Sequence, residues 1–300
     1  MLRRLFPALV EASPPLRRLG HRPIQKHDVE HMRWAADGGW VMPKDNPGVR
    51  LEPSFVSEAE GAAIGAELVE AVETYGYPYD GDTRAHLISA GSGDVEATLD
   101  DVVNNMRVTG RLERPDLPHT VPPWGYGDSF DASALPPALA QLAQRIATCG
   151  AFRVGPPRDV TINVREHSFF QLDPHLDPVA DGPDVFILGL ESSVVLTFTP
   201  PDEVLAAMGQ PPRRRDAREV GLRSWSTRDV DVLFQPRSLV HFTGAARSTW
   251  MHAIRAGVQI DGAGVGGVPA TCDWWGNTEY LVRREPRRLS VVLAFGEAPD

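Results

Sequence analysis

Lysine is almost missing from this chain of 300 residues: of 30 basic residues only Lys26 and Lys44 are lysines, and the rest are arginines. The bias reads as genomic composition, and no chemistry follows from it. Cysteine is scarce as well, with only Cys149 and Cys272, far apart in the sequence. That excludes a disulfide framework and a cysteine-based zinc site, and it fits a reducing compartment. No apolar run approaches the roughly 18 residues that a membrane helix needs. No internal repeat with a period of about 20–50 residues is visible. Positive charge is in deficit too, with a formal net charge of −10, so a generic polyanion binder is not indicated. What is there is ordinary for a globular chain: 42% hydrophobic and 23% charged residues, in a length that suits one large domain.

The charge is unevenly spread. Positions 51–100 hold eleven acidic residues against one basic residue, Arg84, whereas positions 205–260 hold nine arginines against four acids. Opposite-sign solvated loops are one reading. A basic rim that steers an anionic substrate is the other, and Arg213, Arg214 and Arg215 are its obvious members. Residues 1–48 read as an N-terminal arm. Its first thirty positions are basic and apolar, broken by Pro7, Pro14 and Pro15. The arm is expected to be either disordered or a transit peptide, so the expected location is the cytoplasm or nucleus, with the mitochondrion as the alternative. Residues 49–300 are expected to form the folded domain.

Within that domain, Ser57-Glu58-Ala59-Glu60 has the form of a capping box. Ile64, Leu68, Ala71, Val72 and Tyr75 follow at helical spacing, and Gly76 is a natural stop. A second helix is expected from Pro136, as its first residue, to Gly150. Then the period changes to two. Val160, Ile162 and Val164 alternate, and strand-like runs follow at 185–190, 194–198, 230–234, 239–243, 250–254 and 289–295. Helices first and short strands after predict an α+β fold built on an antiparallel barrel or jelly roll.

In the run Asp173-Pro174-His175-Leu176-Asp177-Pro178 an imidazole and a carboxylate stand two residues apart between prolines. On an extended strand such residues share a side, so His175 and Asp177 can aim at one point. A second, distant histidine would turn that pair into a metal site. His119, His167 and His241 are candidates. His252 stands out because a small-residue turn, Gly244-Ala245-Ala246-Arg247, leads into its strand. Two imidazoles and one carboxylate leave three open octahedral positions, the ligand set of non-haem Fe(II) oxygenases. In Arg287-Arg288-Leu289-Ser290-Val291, Arg288 and Ser290 share a face opposite the apolar residues. Turned inward, Arg288 would need an anionic partner, and the far carboxylate of 2-oxoglutarate is one. A zinc hydrolase can use the same three ligands, but no general base is evident. Trp124, Trp225 and Trp250 read as packing; Trp274-Trp275, beside Gly276, is the better base-stacking candidate.

Taken in order, Asn163, His175-Leu176-Asp177, the stretch Gly244 to His252, and Arg288-Leu289-Ser290 resemble the AlkB-like family of Fe(II)/2-oxoglutarate dioxygenases over positions 49–295. The resemblance implies a double-stranded β-helix (jelly-roll) core with N-terminal helices packed against it. It implies that His175, Asp177 and His252 bind Fe(II) and that Asn163, Arg288 and Ser290 contact 2-oxoglutarate. It also implies oxidative decarboxylation of 2-oxoglutarate to succinate and CO₂, coupled to hydroxylation of a substrate C–H bond. On an N-methyl group the product would lose formaldehyde.

Three positions depart from the family pattern. Arg165 stands where a tyrosine is common, Ala294 where a second arginine is common, and Val179 where base-repair members carry an acid. Insertions near 200–229 and 259–280 are lid candidates. The expected substrate is a methylated nucleobase in RNA or DNA. The alternatives are the same chemistry on a protein side chain or other non-nucleic substrate, and a non-catalytic binding protein on a degenerate barrel.

Overall fold

The computed structural model describes residues 46–79, 105–111, 120–168, 170, 172–207, 209, 229–254, 265–267, 270–273 and 281–299. It gives the backbone alone for strand residues 31–34, 40–41, 86–89, 93–96, 258–260 and 274, and at 173 and 281. In chain order the strands are β1 (His31–Trp34), β2 (Trp40–Val41), β3 (Val49–Glu52), β4 (Tyr77–Pro78), β5 (His86–Ser89), β6 (Gly93–Glu96), β7 (Asn105–Val108), β8 (Pro157–Arg165), β9 (Leu172–His175), β10 (Asp184–Leu190), β11 (Val194–Thr199), β12 (Val230–Phe234), β13 (Leu239–Phe242), β14 (Met251–Ile254), β15 (Val258–Ile260), β16 (Ala270–Trp274), β17 (Leu281–Arg283) and β18 (Arg288–Phe295). Among the described residues the α-helices are α1 (Glu58–Tyr75), α2 (Pro137–Thr148), α3 (Asp202–Ala207) and α4 (Gly244–Ser248).

Helix α1 begins as its sequence dictates. The Ser57 hydroxyl accepts from the Glu60 N–H at 3.2 Å, and the Ser57 N–H donates to the Glu60 carboxylate at 2.7 Å. Two first-turn groups are thereby satisfied reciprocally. Helix α2 starts one residue later than the sequence suggests, with Pro136 as N-cap and Pro137 at the first helical position. A side chain of α1 completes that start: Glu67 accepts from the Ala138 and Leu139 N–H groups at 2.8 and 3.0 Å. A carboxylate there satisfies orphan donors and complements the helix dipole.

Among the described residues three sheets are formed. A seven-stranded sheet runs β3-β13-β10-β18-β8-β7-β4, a six-stranded one β2-β1-β12-β11-β14-β9, and a five-stranded one β17-β16-β15-β5-β6. Pairing is antiparallel except for β1 with β12 and β15 with β5. From β8 onward the chain passes back and forth between the first two sheets: β8, β10, β13 and β18 lie in the larger, and β9, β11, β12 and β14 in the smaller.

Alternation along the strands sorts two cores. Val160, Ile162 and Val164 of β8, Phe186 and Leu188 of β10, and Leu289, Val291 and Leu293 of β18 meet Ile64, Leu68, Leu139 and Ile146 of the helices. Val185, Ile187 and Ala294 face the other way, among Leu196, Phe198, Val232, Phe234 and Ile254 of the smaller sheet. Strand β10 is thus buried on both faces, which is why it reads as a continuous apolar run. Strands β8 and β18 turn polar residues to their inner faces: Asp159, Thr161, Asn163 and Arg165, and Arg288 and Ser290, all buried. Those two polar faces form an inner floor turned toward the smaller sheet, which carries β9 and β14.

The expected strand runs are all present, with ends moved by one residue at most; Trp250 and Thr243 fall just outside β14 and β13. The segment near 259–280 supplies β16 to the five-stranded sheet, beside β15. Within the expected arm, β1 pairs with β12 and with β2. Residues 1–30, His119, Arg213 to Arg215, Trp225 and Trp275 lie outside the described residues, as does most of the segment near 200–229.

Candidate functional site

His252 sits on β14 directly opposite His175, the last residue of β9. Their rings lie 4.3 Å apart between centroids. Asp177 lies two residues past the end of β9, so the strand geometry that would place it beside His175 does not apply. It reaches the same point from the loop. Its Oδ1 lies 3.7 Å from His175 Nε2 and 3.8 Å from His252 Nε2. One ligand atom from each of the three residues falls within 4.8 Å of the others. The His252 side chain is buried and that of Asp177 nearly so, whereas the His175 side chain is 40% exposed. The cluster therefore opens to one side. Asp177 Oδ2 is buried and has no hydrogen-bond partner among the described residues. Burial pushes the Asp177 carboxyl up, but His252, His175, Arg247 and Arg111 together outweigh it and hold the group below its ordinary value.

What fixes the loop is Arg247, from the short helix α4 before the His252 strand. Its guanidinium is 6% exposed. It donates to three carbonyls of the Asp177 loop: Asp177 O at 3.1 Å, Pro178 O at 2.5 Å and Gly182 O at 2.9 Å. One rigid, planar fork thus holds both ends of the turn that follows the carboxylate ligand. Gly182 closes the turn at φ +103°, where a Cβ would come within 2.2 Å of Phe295 O. The sequence shows Arg247 only as part of a motif; its contact with the Asp177 loop, 70 residues away, is tertiary information.

The inner floor carries the other expected residues. Arg288 is 3% exposed, donates to Ser192 O at 3.0 Å, and lies 5.0 Å from the Phe234 ring centroid. Among the described residues no carboxylate is within ion-pairing distance of it, and its Nε is buried without a partner. Burial, reinforced by Arg165 and Arg284, brings its guanidinium down to about 9 despite Asp273. Gly189 makes room for it, since a Cβ there would stand 3.0 Å from Phe234 and 3.4 Å from Arg288 Nη1. Ser290 is paired across strands with Asn163. The Asn163 carbonyl accepts from Arg107 Nε at 2.9 Å, and the Arg107 guanidinium stacks 3.3 Å from the Tyr79 ring centroid.

At the other end of β8 lies a second polar network. Arg111 donates to Asp159 at 3.0 Å and to Thr161 at 3.2 Å, and it lies 3.8 Å from Asp181. Tyr126 donates its hydroxyl to Asp181 at 2.7 Å. Burial pushes the Asp159 carboxyl up to about 6 against the pull of Arg111, and it raises Asp181 as well. The other two described candidate histidines are elsewhere: His241 pairs with Asp184 at 2.8 Å and stacks on Phe186, and His167 packs beside Phe170.

No protein-family model and no curated protein matches the chain. Among solved structures it is similar to OsALKBH1, at 14% identity over 83% of this chain and 98% of that one, with a TM-score of 0.45. It is similar to the non-heme alpha-ketoglutarate-dependent epimerase SnoN from nogalamycin biosynthesis, at 14% identity over 84% and 78% of the two chains, with a TM-score of 0.43. A prolyl-4-hydroxylase from Pseudomonas putida aligns at 13% identity over 83% and 92%, with a TM-score of 0.39. These likenesses are distant, and the chemistry of the site is read from its own residues.

Proposed function

We propose that the chain is an Fe(II)/2-oxoglutarate-dependent dioxygenase with a jelly-roll core. The observation that carries this reading is the convergence of two imidazoles and one carboxylate, each with a ligand atom within 4.8 Å of the others, at a point open on one side. This mixed nitrogen and oxygen donor set suits Fe(II) and leaves coordination positions for a co-substrate and O₂. The residues present fit the two groups. Asp177 Oδ2 and Arg288 Nε are buried polar atoms still wanting a partner, one able to meet a cation and the other an anion. When bound, iron and 2-oxoglutarate would supply oxidative decarboxylation and an oxidant for a substrate C–H bond. His175, Asp177 and His252 would hold the metal. Arg288 would neutralise the distal carboxylate, with Ser290 and Asn163 on the same inner face. Arg247 keeps the carboxylate ligand in place, and the apolar residues between the sheets exclude water. The passage of the chain between two sheets supports the jelly-roll reading.

For the substrate, the reading is an N-methylated nucleobase in RNA or DNA, presented single-stranded or flipped from its stack. Its support is the arginine-rich stretch 205–260. A non-nucleic substrate is the second reading, favoured by the rim beside Asp177: Leu176 is 46% exposed and Val179 is 92% exposed. An apolar lip suits an apolar group better than a phosphate backbone. Succinate release from 2-oxoglutarate, assayed with methylated RNA, DNA and peptide pools, tests both. Stimulation by oligonucleotides alone supports the first reading, and stimulation by peptides alone contradicts it.

A further inference from the structure

Antiparallel register aligns three inner-floor residues in one row. Asn105 of β7 is opposite Arg165 of β8, and Arg165 is opposite Arg288 of β18. Their strand neighbours Met106, Val108, Val164 and Leu289 pack into the helix-side core, so this row faces the other way. Asn105 is 3% exposed, and among the described residues neither its amide nitrogen nor its amide oxygen has a hydrogen-bond partner. Leaving one buried polar group unpaired costs about 1–3 kcal/mol, so folded proteins rarely do it without a ligand or bound water to complete the set. Arg288, in the same row, has an unpartnered Nε.

The charges point the same way. Arg165 and Arg288 are like charges on directly paired positions, which repel. Asp273 is the carboxylate that offsets Arg288, yet it is held by Arg284, through hydrogen bonds of 3.0 and 2.7 Å. Unused donors on Asn105 and on the cationic Arg288 are chemically complementary to a carboxylate. Asparagine adds something a third arginine would not. Its NH₂ can donate to an anionic oxygen while its carbonyl turns toward a guanidinium.

We infer that Asn105 is a co-substrate-contacting residue, and that Asn105, Arg165 and Arg288 form a cradle for the distal carboxylate of a 2-oxo diacid. The inference rests on the dioxygenase reading above. It gives Arg165, at the position where the resembled family has a tyrosine, a defined place beside the carboxylate. It also accounts for selectivity: a 2-oxo acid without a second carboxylate would leave the Asn105 amide and Arg288 Nε unsatisfied.

The test uses the full chain under anaerobic conditions with Fe(II), and reads 2-oxoglutarate affinity by calorimetry. Asn105→Leu replaces the amide with an apolar group of similar shape. We expect 2-oxoglutarate affinity to fall on the order of tenfold, one good hydrogen bond to a charged group. Fe(II) affinity should be unchanged, and the melting temperature without ligand unchanged or raised, because an unsatisfied amide has been removed. Asn105→Asp, which puts a like charge against the ligand, should weaken binding further, and it is the variant to read if Asn105→Leu fails to fold. Undiminished 2-oxoglutarate affinity in the folded variants overturns the cradle and leaves the dioxygenase reading standing. A wild-type chain that binds Fe(II) but not 2-oxoglutarate overturns both.

Discussion

An arginine that is 3% exposed, with no carboxylate in ion-pairing reach among the described residues, is costly to bury, and Arg288 bears that cost. If its role is to meet an anionic ligand, Arg288→Met should weaken 2-oxoglutarate binding on the order of a hundredfold while leaving Fe(II) binding intact, as separate titrations would show. The metal ligands should behave in the opposite sense. Asp177→Ala or His252→Ala should abolish tight Fe(II) binding with little change in the circular dichroism of the fold. Asp159 offers a test by pH. Its folded-state value is about 6 against 3.8 for the ordinary group. Between those two values the folded state holds a proton that the unfolded state has lost, so stability falls as pH rises through that window. Asp181 is shifted in the same direction. Asp159→Asn should flatten, without fully removing, the decline in urea midpoint between pH 4 and 6. A slope equal to that of the wild type would show that Asp159 does not titrate there.

At the scale of elements, the short helix α4 and the Asp177 loop act as one unit through Arg247. Arg247→Met removes three hydrogen bonds to carbonyls, each worth about 1 kcal/mol or more. The expected result is an Fe(II) affinity lowered by tenfold or more, with a smaller loss for Arg247→Lys, which keeps the charge without the fork. Wild-type Fe(II) affinity in both variants would deny Arg247 a positioning role. The N-terminus of α1 is a more ordinary element: Ser57→Ala should cost about 1 kcal/mol in chemical denaturation.

These elements also show what the sequence could reveal. The capping box of α1, the alternation in β8 and β18, and the apolar run of β10 are local signals, and each appears at its expected place. His175 and Asp177 are legible as a pair, but not for the reason of strand geometry, because Pro178 and the loop carry Asp177 off the strand. The partnership of His175 with His252 depends on β9 pairing with β14, and that of Arg247 with Asp177 on a contact between a helix and a distant loop. No local pattern encodes either. Asn105 carried no signal at all. It stands in a Gly/Pro/Asp-rich region whose pairing with β8 becomes visible only in the sheet.

At the scale of the molecule, one sheet face is given to the helices and the other to the site. The helix-side core can take large apolar residues without regard to chemistry, which leaves the inner faces of β8 and β18 free to be polar. Leu68→Ala, deep in the helix-side core, should therefore lower stability by about 2–5 kcal/mol in denaturant unfolding, while Fe(II) affinity of the folded protein stays as it was. The central claim is that one cluster holds iron for the turnover of 2-oxoglutarate. The most direct measurement is succinate formed from 2-oxoglutarate in air by the Fe(II)-loaded chain, beside His252→Ala treated identically. Succinate is expected from the wild type and none above background from the variant. No succinate from an Fe(II)-loaded wild type, or equal amounts from both, would contradict the central claim.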